Sequence, residues 1–160
     1  MGEVLRSTLL VKMLGLMAVK ASLLDPFGVG LEMEAEKPGW CDALNGLPGL
    51  FGSSTHEAYC RKRWVAFVRR AVLGLLPPDT CVDFPVEIAA LMRSVTDLLA
   101  QSSSSHFFPT WQQLATLREA FRHEVRLGVS GEHLKVDRGT LLQFLDAVDA
   151  ALHRGLAQAF

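Results

Sequence analysis

Apolar residues recur every three to four positions in five separate stretches of this chain, the period of helices that turn one face to a core. The first stretch aligns Leu5, Leu9, Met13, Leu16 and Met17 and predicts a helix over about residues 3–24, closed by DPFG. The second carries Cys60, Trp64, Phe67, Ala71 and Leu75 and stops at PPDT. Asp83 opens the third, with Ile88, Leu91, Met92, Val95 and Leu98 on one face. The fourth, Leu114, Leu117, Phe121 and Val125, ends at LGVSG, where glycine suits a helix C-terminus. The last runs through Leu141, Leu145, Val148, Leu152 and Leu156. Two starts read as capping boxes, Ser54 with Glu57 and Thr110 with Gln113. QSSSSHFF, before the fourth helix, reads as a short polar surface connector. No convincing sheet pattern and no internal repeat is present, so the expectation is one all-α domain, residues 1–160, of about five amphipathic helices.

Between the first two helices the period breaks. LEMEAE alternates Leu31, Met33 and Ala35 with Glu32, Glu34 and Glu36, an extended segment with three carboxylates on one side. EKPGWCDALNGLPGLFGSSTHE then follows, rich in glycine and proline, with Trp40 two residues before Asp42. The stretch has almost no periodicity and does not read like ordinary helical structure.

Composition narrows the classes. With 160 residues and 49% hydrophobic content, the chain can bury a real core. A net charge of −1 gives no electrostatic case for nucleic acid or an anionic membrane. Lys12 and Lys20 cut the N-terminal apolar run short of a span, so an amphipathic helix is expected there and not an export signal. Cys41, Cys60 and Cys81 lack CxxC spacing and read as reduced thiols of a cytoplasmic protein. His56 and Cys60 stand one helical turn apart, but no fourth ligand lies at a familiar spacing, and no metal site is expected. Neither GxSxG nor a P-loop occurs.

GWCDALNG, leading through a glycine-rich turn into SSTHEAYCRKRW, resembles the catalytic loop of the cellobiose phosphorylase-type glycoside phosphorylases, which carry a Trp-Asn-Asp motif in a loop between barrel helices. KPGWCDALNGLPGLFGSS is similar in particular to the loop of large bacterial cellobiose-phosphorylase-like proteins. The similarity extends to LLDPFGVGLEMEAEKPGW and, more weakly, to LREAFRHEVRLGVSGE. It implies that Asp42 matches the general acid and Trp40 the aromatic beside it, suited to packing on a sugar face. Cys41 stands where the better-known enzymes have asparagine, and Gly39 where they have an acidic residue; both departures touch sugar specificity. The implied fold is an (α/α)6 barrel of twelve helices. Five helices cannot close it, so the expectation is a fragment of a longer enzyme or a shortened relative, inactive alone.

The implied reaction is inverting phosphorolysis of a β-linked glucosaccharide to a sugar 1-phosphate, with oligosaccharide and inorganic phosphate as partners and no cofactor. An acid that works at neutral pH must be held protonated by burial or by neighbouring negative charge, which Glu32, Glu34 and Glu36 are placed to supply. These three and Asn45 are also candidates for sugar hydroxyls. A hydrolase needs a second carboxylate, whereas in phosphorolysis phosphate is itself the nucleophile. The basic run Arg61 to Arg63 reads as a solvated helix face, not a phosphate clamp. Two plainer readings stand beside these. Asp42 is also a turn residue among glycines. The chain as a whole also reads as a non-catalytic helical module, a homo-oligomer or one docked on a partner (the remainder of a barrel included) through apolar faces.

Overall fold

The computed structural model describes residues 4–33, 52–102 and 107–159. Five helices dominate them: α1 (Leu9–Ala21), α2 (Thr55–Leu75), α3 (Val86–Gln101), α4 (Phe107–Glu124) and α5 (Arg138–Ala159). Two small antiparallel sheets join them, β1 (Leu31–Glu32) with β2 (Ser53–Ser54), and β3 (Cys81–Pro85) with β4 (His133–Asp137). The chain is therefore mostly helical, as its periodicity predicts, with a minor sheet component that it does not.

The central helices are α3 and α5. Helices α1 and α4 pack on α3, α3 packs on α5, and α2 also packs on α5. Their stripes are the ones the sequence displays best. Leu91, Met92 and Val95 on α3, and Leu141, Leu145, Val148 and Leu152 on α5, are all buried. The outer helices differ. On α2 the buried residues are Ala58, Val65, Val68 and Val72, while Phe67 is 56% and Leu75 79% exposed. On α1 the core takes Val11, Leu14, Met17, Ala18 and Ala21 and leaves Leu9 73% exposed. Both helices are apolar over more than one face, and on α2 the close-packed face is the one with the smaller side chains. Of the large residues in the two predicted stripes, Leu9, Leu16, Phe67 and Leu75 are exposed, whereas Met17 is buried and Met13 and Trp64 lie partly against the core.

Three helix starts also move, the first being α1, which begins at Leu9 and not near residue 3. Residues 81–85 pair with 133–137 in the register Cys81↔Asp137 to Pro85↔His133, so α3 begins at Val86 rather than Asp83. Val82 and Phe84 face inward with Leu134 and Val136, and the residues between them are exposed apart from the terminal Pro85. That is the two-residue period of a half-buried ribbon, too short in each strand to stand out. Helix α4 begins at Phe107, and Thr110 is a buried helical residue instead of a cap. Pro109 fits there because a first-turn residue has no intrahelical partner for the N–H that proline lacks. Helix α5 starts at Arg138, where Asp137 accepts the Thr140 N–H at 3.0 Å.

Arginines from distant positions cover helix ends. Arg118 on α4 donates to the Ser22 carbonyl at the end of α1 (2.8 Å), and Arg138 to the Leu73 carbonyl in the last turn of α2 (3.1 Å). Arg154 on α5 reaches Ser102 Oγ (2.9 Å) and the Leu99 carbonyl at the end of α3. Each supplies positive charge where unpaired carbonyls gather.

Candidate functional site

The candidate site grows from the place where the helical pattern fails. After α1 the chain turns back on itself. Leu23 and Leu24 run beside Leu31 and Glu32, with the Glu32 N–H on the Leu23 carbonyl at 2.7 Å and the Asp25 N–H on the Gly30 carbonyl at 2.9 Å. β1 then pairs with β2, Leu31 opposite Ser54 and Glu32 opposite Ser53. The described chain stops at Met33 and resumes at Gly52, and the Met33 N–H donates to the Gly52 carbonyl at 3.0 Å. Met33 and Gly52, nineteen positions apart in sequence, are thus one hydrogen bond apart.

Asp25 holds this root together. Its side chain is almost fully buried and accepts four hydrogen bonds. Oδ1 takes the N–H groups of Phe27 (3.0 Å) and Val29 (2.9 Å). Oδ2 takes the Gly30 N–H (2.9 Å) and the Ser53 hydroxyl (2.5 Å). One carboxylate therefore fixes the turn from 25 to 30 and ties it to the returning strand. Gly28, at φ +69, makes the turn possible and lies against the Phe107 ring.

Glu32 is the one expected site residue inside the described region. Its Oε1 accepts the Trp111 indole N–H at 2.8 Å, and its Oε2 lies 3.5 Å from the Arg118 guanidinium. Helix α4 thus grips the root through two side chains about two turns apart. Arg118 offsets part of the Glu32 charge, so Glu32 is less suited to raising a neighbouring acid's pKa than the sequence suggests. Asp42, Trp40, Glu34, Glu36, Asn45 and Cys41 lie outside the described residues.

The start of α2 closes the root from the other side. Ser54 Oγ accepts the Glu57 N–H at 3.1 Å, the cap that its spacing predicts. The Glu57 carboxylate goes to Arg61 (2.6 Å) and Lys20 (3.4 Å) and so links α2 to α1. Burial alone would raise Glu57, but the Arg61 hydrogen bond and the Lys20 and Arg61 charges outweigh it and hold the carboxyl below its ordinary 4.5. A lowered folded-state pKa contributes stability above the unfolded value and loses it as pH falls through the folded one. Glu57→Gln should therefore flatten the fall in Tm as the pH drops below about 4.5. A fall as steep as that of the unaltered protein would sink this account.

The basic run disperses. Arg61 serves Glu57 and lies 5.2 Å from the Trp64 ring centre, Lys62 pairs with Asp149 at 2.8 Å, and Arg63 is exposed. No clamp forms from these three. His56 Nε2 and Cys60 Sγ are 3.6 Å apart on the α2 surface, and among the described residues no third potential metal ligand joins them. Among the described helices none is long and apolar enough to cross a membrane.

Sequence reasoning missed Asp25, Ser53, Trp111 and Arg118 as parts of the root. DPFG marked Asp25 only as a helix stop; its tie to Ser53 spans 28 positions, and that of Trp111 to Glu32 spans 79. No local spacing carries such pairs.

The outer faces of α1 and α2 form a second feature. The two helices lean on different neighbours, α1 on α3 and α2 on α5. Between them runs an apolar groove of about 340 Å³, with Leu9, Leu10 and Met13 on one wall and Phe67, Ala71 and Leu75 on the other.

No protein-family model, curated protein or solved structure matches the chain.

Proposed function

We propose that the chain is a segment of a carbohydrate-active enzyme of the cellobiose phosphorylase type, contributing the loop that carries the general acid. In this reading Asp42 protonates the glycosidic oxygen as the bond breaks, and phosphate attacks the anomeric carbon from the opposite face, giving a sugar 1-phosphate with inversion. Trp40 packs on a sugar face, Glu34 and Glu36 keep Asp42 protonated, and Asn45 meets a hydroxyl. Glu32 serves the root. The observation that supports the reading is the root itself. A segment whose ends are pinned by β1–β2 pairing, by Asp25 and by Glu32 is anchored as an acid-bearing loop needs to be, because misplacement of a catalytic group is costly.

Calorimetry with a β-linked gluco-oligosaccharide tests it. The chain should bind the sugar, Trp40→Ala should abolish binding, and Asp42→Asn should retain it. In a preparation that releases sugar 1-phosphate, Asp42→Asn should lower the rate at least about a hundredfold. A folded chain with no sugar affinity would remove the reading.

The groove between α1 and α2 favours a second reading, a non-catalytic helical module that docks on a partner. An apolar hollow flanked by large exposed side chains is the usual mark of an interaction site.

A further inference from the structure

The second reading leaves open what the groove receives, and the charges around it narrow the choice. Residues 4–21 and α2 together hold three and five cations against one carboxylate, Glu57, in a chain whose net charge is −1. The excess is not spread evenly. On the side of α2 that faces α5, Lys62 pairs with Asp149 and Arg69 with Asp146. On the outer faces of the two helices, Lys12, Arg63 and Arg70 are exposed and have no ion pair among the described residues. Their positions follow from helical spacing. Lys12 lies one turn beyond Leu9, and Arg63 and Arg70 lie one turn before and one turn after Phe67. Unpaired cations therefore flank Leu9 and Phe67, the exposed apolar residues that edge the groove on its two helices.

The hollow has the form of a helix site. Phe67, Ala71 and Leu75 stand four residues apart on successive turns, a wall about 12 Å long, opposite Leu9 and Met13 one turn apart. Such a trough takes anchors at i, i+4 and i+7 of an incoming helix. A second copy of the chain fits less well, because it would bring the same unpaired cations together across the interface.

We infer that the groove between α1 and α2 docks an acidic amphipathic helix, its apolar stripe between Leu9 and Phe67 and its carboxylates on Lys12, Arg63 and Arg70. The inference rests on the docking reading and not on the catalytic one.

Fluorescence anisotropy with three labelled synthetic peptides tests it: a Leu/Glu amphipathic helix, its Leu/Lys counterpart, and the Leu/Glu sequence broken by proline. The Leu/Glu helix should bind at least about tenfold more tightly than either other, and less tightly as salt screens the rim. Joint Arg63→Glu and Arg70→Glu replacement should reverse the preference towards Leu/Lys while leaving Tm unchanged, since both side chains are exposed. Phe67→Ala should weaken every helical peptide. Equal binding of Leu/Glu and Leu/Lys helices overturns the acidic partner and leaves the docking reading standing. Failure of all helical peptides on a folded chain overturns both. Sedimentation as a dimer that Leu75→Glu dissolves would identify a second copy as the occupant and overturn the proposal.

Discussion

Replacing Gly155 with alanine should destabilise the protein by about 3 kcal/mol, whereas the same change at Gly74 should stabilise it by about 0.5 kcal/mol. Both glycines lie inside helices, and helix propensity alone favours alanine at each. Their surroundings decide the sign. A methyl on Gly74 meets nothing within 4 Å. On Gly155 it would overlap the Gly28 carbonyl oxygen and crowd the Gly28 carbonyl carbon and Val29 Cα. Those atoms are backbone and cannot swing aside as a side chain would. They also belong to the turn that Asp25 pins, so a shift of α5 away from it would disturb the root of the candidate site. Urea denaturation of the two variants separates packing from propensity. A stability change of the same sign in both would show that the turn yields easily and that the close approach of α5 means little.

Asp25→Ala should cost about 4 kcal/mol, which at this chain length lowers Tm by roughly 10 °C. The loss is not one interaction but the stranding of three backbone N–H groups and a hydroxyl around a cavity. Burial makes this expensive, and the partial access of water to the Phe27 and Val29 amides keeps the cost below the sum of four charged hydrogen bonds. Asp25→Asn should lose about half as much, because one carbonyl oxygen can still accept from two donors while the amide NH2 faces a group that also donates. If thermal melts show the alanine variant within about 1 kcal/mol of the unaltered protein, water replaces the carboxylate and the root is not an ordered frame. Sugar binding by the Asn variant then carries separate information, since a loosened root should weaken it before global unfolding does.

What could be read from the sequence followed from how local each signal is. The stripes of α3 and α5 were plain because each helix has one broad apolar face and sits at the centre of the packing. The Ser54 cap was plain because donor and acceptor are three residues apart. α1 and α2 misled because large residues such as Leu9, Phe67 and Leu75 dominate a reading by hydrophobicity, while Val65, Val68 and Val72 fill the tight space against α5. The β3–β4 ribbon escaped because its five-residue strands give two alternations each and meet across a stretch that holds two helices. At the candidate site the segment itself was conspicuous by composition. Its anchors were not, because Asp25, Trp111 and Arg118 are ordinary residues until the fold brings them to Ser53 and Glu32.

The arginine ties at the helix ends have a consequence for how the molecule comes apart. A helix ordinarily frays from its last turn, one carbonyl at a time, without consulting the rest of the chain. Here the last turns of α1, α2 and α3 are each fastened by a guanidinium that lies 96, 65 and 55 positions away in sequence. Opening any of these ends means parting two remote stretches of polypeptide, so the small losses that would otherwise accumulate at the edges are converted into a single concerted event.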